Sequence, residues 1–418
     1  SESVELPALE KNTTYAKENG AWVVSQRPTP GFSNDDAGYE AWLRSGGYEN
    51  SEIYITEVMA HNRGTLADSD GELSDWIEIA NLGETAVDLS GWYLSDDPNV
   101  PDEWKIPALT LAPGEYAVIF ASGKNRTEGE LHTNFSLTDG DTVILSTGNG
   151  AEFCRVKIED VPDGASLAMR PDGSITVSDF PSPGFENTAA GYAEYCESDT
   201  RTSPLLLWEI VVYEEGSSDW VELKNVSASP VDLSGYTLSD KFKEPARDAL
   251  PAVTLAPGES YVFVCENVGL NAQRDELYLF DASGALCDWA FLREIPNGGS
   301  YGRQSGENGY FYFKQSTRGT ENGTGYRSVA AQPTVDTAAG VYDGAESLTL
   351  TITGENVHYT LDGSTPTEND AAYTAPITIT ETTIVRAASF PADELPGKAV
   401  TWSYFLRENS TLPIVSLV

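Results

Sequence analysis

One stretch of the chain occurs twice, and the spacing of the copies limits what the chain can fold into. The first copy runs Asp75-Trp76-Ile77-Glu78-Ile79-Ala80-Asn81 and then Val87-Asp88-Leu89-Ser90-Gly91-Trp92. The second runs Asp219-Trp220-Val221-Glu222-Leu223-Lys224-Asn225 and then Val231-Asp232-Leu233-Ser234-Gly235-Tyr236. Equivalent residues stand 144 apart through Leu111-Ala112-Pro113-Gly114-Glu115 and Leu255-Ala256-Pro257-Gly258-Glu259. The offset then falls to 134, as at Val161-Pro162-Asp163-Gly164 against Ile295-Pro296-Asn297-Gly298. A constant ruler broken by one deletion between strands is the mark of a duplicated domain.

Helical period is nearly absent, while short apolar alternations and Gly/Pro turns recur throughout, so the chain reads as all-β. Side chains alternate along a strand. Ile77 and Ile79 therefore share one face, with Trp76 and Glu78 on the other. Val221 and Leu223 repeat the inward pair, and Trp220 and Glu222 the outward one. Pro113-Gly114 and Pro257-Gly258 fit type II turns, with glycine where φ is positive. A length of 418 residues predicts two to four domains.

These motifs resemble the lamin tail domain, an immunoglobulin-like β-sandwich. The D-W-[IV]-E-[IL]-x-N strand, the V-D-L-S-G-[WY] strand, the L-A-P-G-E turn and the closing Pro181-Ser182-Pro183-Gly184-Phe185-Glu186-Asn187 carry the likeness across most of residues 50–325. Farther on, Val357-His358-Tyr359-Thr360-Leu361-Asp362-Gly363-Ser364-Thr365-Pro366, with Tyr373–Ile379 and Thr383–Ala387, resembles the chitobiase/β-hexosaminidase C-terminal type of fibronectin-III-like module. The fold implied is all-β: tandem immunoglobulin-like sandwiches of lamin tail type followed by a fibronectin-III-like sandwich.

The expected order is a C-terminal remnant of a repeat plus connector at 1–49, a lamin-tail-like domain at 50–190 and a polar linker at 191–204. A second such domain follows at 205–326, then the fibronectin-III-like domain at 333–408. Residues 409–418 read as the start of a following domain. Thr13–Lys17 and Ala21–Val24 flank Asn19-Gly20, a strong hairpin signal, and the remnant needs a surface to cover Trp22 and Val24. Each closing motif leads to a Gly-Tyr pair: Gly38-Tyr39, Gly191-Tyr192 and Gly325-Tyr326. Asn34 and Asn187 are expected to cap short helices.

Catalytic constellations are missing from the sequence. The three histidines, His61, His132 and His358, are far apart, and no cysteine pair has C-x-x-C spacing. Cys265 and Cys287 could pair, but Cys154 and Cys196 share no such context, and free, buried thiols are the simpler reading. There is no G-x-S-x-G, P-loop or dinucleotide turn. Glu78 and Glu222 lie in separate sandwiches, which suits structure better than an acid/base pair. The candidate binding residues are Trp76 and Trp220, if their outward rings are bare; a covering loop is the competing reading. The candidate metal loop is Asp68-Ser69-Asp70-Gly71-Glu72 with Asp75. Its ion would be calcium, although position 12 of an EF-hand register falls on Ile79.

Lysine and arginine total 25 against 65 acidic residues, a formal charge of −40. Such a charge repels nucleic acid and anionic membranes, and no run is apolar for long enough to span a bilayer. The expectation is a non-catalytic, extracellular, bacterial segment for presentation or attachment at a cell surface by binding protein or glycan, with no cofactor beyond the candidate calcium. The alternative is the accessory half of an enzyme. Leu412–Leu417 resembles the opening strand of another domain, and a spore-coat-protein-H-like kinase domain often follows modules in this order.

Overall fold

The computed structural model describes residues 4, 6–9, 13–18, 20–25, 27, 29, 31–44, 52–199, 201–212, 218–296 and 298–407. The tail at Leu412–Leu417, Asn19 and the Glu214–Ser217 loop lie outside them. The chain divides into two units, Ser1–Ser198 and Asp199–Val418.

In the first unit the D-W-I-E-I strand, Asp75–Asn81, is second from one edge of a five-stranded sheet. The strand order is Ile175–Ser178, Ser166–Met169, Ile53–Met59, Asp75–Asn81 and Tyr116–Ala121. A four-stranded sheet lies opposite: Glu152–Lys157, Thr142–Ser146, Tyr93–Ser95 and Trp104–Lys105. Ile77 and Ile79 point between the sheets and share one core with Ile53, Ile55, Val58, Trp92, Leu94, Val143 and Leu145. The spacing from Ile55 to Val58 looks wrong for one face. A bulge between Ile55 and Glu57 explains it, since one extra residue shifts the alternation.

The second unit repeats this plan. Ser260–Val264, Trp220–Asn225, Leu205–Val211, Ser300–Gly302 and Phe311–Phe313 form the five-stranded sheet, with a bulge between Leu207 and Glu209 at the matching place. Val221 and Leu223 enter its core. The four-stranded sheet is Asp248–Ala249, Thr237–Ser239, Arg274–Phe280 and Leu286–Arg293. Both P-G turns have glycine at positive φ, +74° at Gly114 and +80° at Gly258. The poorly alternating Tyr310–Phe313 run is buried throughout.

The later part of the second unit carries a further five-stranded sheet. Its order is Gly340–Tyr342, Val400–Leu406, Thr383–Ser389, Val357–Thr360 and Ala371–Ala372, and the first pair is parallel. Leu350, Ile352, Val385, Ala387 and Tyr404 fill its core. Leu395 of this part joins the core of the second repeat and exchanges backbone bonds with Ser328 and Ala330. The architecture is all-β, as expected from the turns and alternation.

At the start of the first unit, Thr14–Glu18 pairs with Ala21–Ser25 as a hairpin. Tyr39 is buried, packs on Ala151 and donates its hydroxyl to Glu152 O at 2.5 Å. The remnant is thus covered at its connector by the first repeat, while Trp22 and Val24 stay partly exposed.

Both short helices start one residue later than expected. Asp36–Arg44 is capped by Asp35, whose carboxylate accepts from Gly38 N, and Ala189–Glu197 by Thr188, which accepts from Gly191 N. The asparagines are used inside the closing loops instead. Asn34 Oδ1 accepts from Thr29 Oγ1, and Asn187 donates to Thr56 O. The glycine of each Gly-Tyr pair is required by close approach. A Cβ on Gly38 would lie 1.7 Å from Ser33 O, and one on Gly191 would lie 1.9 Å from Glu186 O. The expected polar linker at 191–204 therefore begins as helix.

Candidate functional site

Trp76 and Trp220 do face away from the main cores, but neither ring is open. Both are fully buried. Trp76 packs with Met59 and Phe120, flanked by Leu66 and Val118, in a small second core on the outer face of its sheet. Met59 and Phe120 on the neighbouring strands and Leu66 from the loop after Met59 pack against it, because leaving an indole in water forfeits a large apolar area. In the second repeat the Arg318 guanidinium lies over the Trp220 ring at 5.4 Å. The binding-platform expectation for both is corrected accordingly.

The acidic loop has a different resident cation. Lys124 Nζ sits 2.6 Å from Asp68 Oδ2, 2.7 Å from Asp70 Oδ2 and 3.0 Å from Glu72 Oε2. Arg126 adds a second contact to Asp70 at 2.7 Å. Asp68 is buried, and its oxygens also accept from the Asp70 and Glu72 amides and from Ser74 Oγ. Burial would raise the Asp68 carboxyl, but the bonds from Lys124, the Glu72 amide and Ser74 outweigh it and hold it below the usual range. Asp75 is not part of this cluster. It accepts from Asn62 N at 3.1 Å, and burial pushes it up to about 7. Asp68 and Asp70 thus come together without Asp75, around an ammonium in the candidate calcium loop. Among the described residues no group of three or more histidine, cysteine or acidic side chains is arranged to hold a metal.

Sequence reasoning found half of another arrangement. Glu78 and Glu222 each face a second glutamate, Glu57 and Glu209, across the neighbouring strand. All four are buried. The pairs meet the closing loops. Ser182 N donates to Glu57 at 3.1 Å and Gly184 N to Glu78 at 2.6 Å. In the second repeat Thr317 N donates to Glu209 at 3.0 Å and Gly319 N to Glu222 at 2.7 Å. In each repeat two carboxyls do come together, buried in a sheet, where they fasten the closing loop.

Other ionisable groups are also used internally. His132 is buried, with Ser122 Oγ 2.8 Å from Nδ1 and Glu130 Oε1 2.9 Å from Nε2. His61 bonds Asp139, and His358 bonds Asp370 O. None of the four cysteines is in a disulfide, so Cys265 and Cys287 do not pair. Sequence reasoning missed a buried cluster around Asp288. It bonds Arg201 at 2.6 Å, Arg303 at 3.2 Å and Tyr310 Oη at 3.2 Å, and accepts from Leu207 N at 2.8 Å. The only signal was an arginine at each place, 102 residues apart.

Two open pockets have linings whose charged groups are already paired. One, about 450 Å³, lies between Val24, Arg27, Tyr39, Phe153 and Arg155, and its arginines are paired with Asp36 and Glu152. The other, about 480 Å³, is lined by Phe313, Lys314, Thr317 and Tyr326, with Lys314 directed to Glu368 at 3.7 Å. No described helix is long and apolar enough to cross a membrane.

Residues 47–160 and 199–292 match the family model described as Lamin Tail Domain. Residues 337–401 match that of the Chitobiase/beta-hexosaminidase C-terminal domain. No curated protein matches the chain. Among solved structures, "Biofilm associated protein - BSP domain" aligns over 90% of this chain and 71% of its own, at 9% identity and a TM-score of 0.15. That likeness is too slight to bear on fold or function. The domain content of the chain is therefore lamin-tail-like twice over, followed by a domain similar to the chitobiase/β-hexosaminidase C-terminal domain.

Proposed function

We propose that the chain is a non-catalytic attachment segment, acting outside the cell at a bacterial surface and binding protein or glycan. The domain division that serves this role runs 50–190, 205–326 and 333–408. One observation carries the reading. The side chains able to do chemistry, Glu57 with Glu78, Glu209 with Glu222, Asp68 with Lys124, and His132, are consumed by bonds inside their own sandwiches. What such modules have left to offer a partner is their outer surface, and a fold by itself names no ligand. The acidic charge suits exposure to solvent and disfavours nucleic acid.

The test is to apply labelled chain to glycan arrays and to surface-protein extracts of the producing cell, alongside surface proteolysis of intact cells. Saturable binding to one class, with the chain cleaved on intact cells, is the expected result. A chain protected inside the cell and silent on both arrays would refute the proposal.

A further inference from the structure

In both complete repeats the closing loop is held by two buried glutamates that face each other in a sheet. In the first repeat Ser166 Oγ and Ser182 N donate to Glu57, while Thr56 Oγ1 and Gly184 N donate to Glu78. Among the described residues no cation bonds either carboxyl. Arg170 is the nearest positive influence on Glu57, but its guanidinium bonds Thr176 Oγ1, Asn187 O and Val177 O. The other titratable neighbours are Tyr116, on the adjoining strand, and Glu186, in the closing loop. Two like charges side by side in a low dielectric cannot both persist, so the pair retains a proton that solvent-exposed glutamates would release.

We propose that the Glu57–Glu78 pair is a proton-operated latch on the 181–187 loop: with its proton the pair holds the loop shut, and without it the loop opens to water. The loop leads directly into Thr188, the cap of the Ala189–Glu197 helix, so the latch also governs how firmly that helix is anchored. Asn187 joins the two parts, donating to Thr56 O and accepting from Ser182 Oγ. The second repeat has the same arrangement at Glu209, Glu222, Thr317 and Gly319. Its recurrence on a different closing sequence, Ser316-Thr317-Arg318-Gly319, marks the glutamate pair and its amide donors as the common device.

The sign follows from burial. Desolvation, then the neighbouring Glu78 charge, pushes Glu57 up to about 8, and desolvation pushes Glu78 up to about 7. Both lie above the ordinary 4.5. The folded loop therefore keeps protons that the unfolded chain has lost. Its stabilisation is full below about 4.5 and disappears as pH rises through 7 and 8.

The test is hydrogen exchange of the full chain, read by mass spectrometry on peptides covering 181–197, from pH 6 to 9.5 and corrected for intrinsic rates. Protection should fall at least tenfold across that range in the natural chain and stay level in the double variant Glu57→Gln with Glu78→Gln, in which neither side chain can lose a proton. Level protection in the natural chain, or an equal fall in the double variant, would overturn the latch. Should that variant not fold, carbon NMR of the glutamate carboxyls in the natural chain decides. A midpoint above 6.5 for the pair supports the latch, and midpoints near 4.5 for both refute it.

Discussion

Lys124 Nζ lies 2.6 Å from Asp68 Oδ2, although the two residues are 56 apart in sequence. The lysine stands on the segment between Ala121 and Thr142, where the first repeat is longer than the second. That longer segment lets one copy neutralise its acidic loop from within. Replacing Lys124 with alanine should leave the buried Asp68 without its cation, lowering the stability of the first repeat by roughly 1–3 kcal/mol. The same variant should become calcium-responsive, because Asp68 and Glu72 would then lose the ammonium they share, while Asp70 keeps Arg126. Thermal melts with calcium and with chelator check both effects. A natural chain that gains as much from calcium as Lys124→Ala would contradict this account of the loop.

A second prediction comes from comparing the copies. Asp96 is pushed up to about 7 by burial, then by Glu103 and Asp141. At the equivalent places in the second repeat, Asp240 meets Arg247 at 3.1 Å. Glu103→Arg should transplant that pairing. The raised Asp96 makes the natural first repeat lose stability as pH rises from about 4 through about 7. The variant should flatten this loss, melting higher at pH 7.5 and little changed at pH 4. Melting curves at the two pH values suffice, and an equal shift at both would argue against a charge effect.

Trp76→Ala should cost about 3–5 kcal/mol, the range for truncating a fully buried aromatic. Urea unfolding measures it. A cost under 1 kcal/mol would restore the exposed-platform reading of this ring.

What could be read from sequence was whatever depends on local chemistry. Ile77 and Ile79 announced their face by alternation, Gly114 and Gly258 announced their turns by positive φ, and the 144-residue ruler announced the duplication. The bulge between Ile55 and Glu57 was not legible, since an extra residue in one strand is defined only against its partner. Without the bulge, Glu57 could not be matched to Glu78, and half the clasp stayed hidden. Lys124 escaped for a similar reason: nothing near it in sequence indicates that it reaches Asp68. The helix caps moved by one residue because Asn34 and Asn187 make tertiary bonds that compete with capping. Trp76 was placed on the correct face, but its cover comes from Met59 and Phe120 on two other strands.

The central claim is that the duplicated sequence makes two sandwiches, each with a core separate from the other's. Hydrogen exchange of Ile79→Ala tests it in one measurement, because both repeats report at once. The account predicts a loss of about 2–5 kcal/mol confined to residues 52–187, with 205–322 unchanged. Equal loss in both repeats would show one cooperative unit, and no loss in either would show that the Ile77–Ile79 face is not the core.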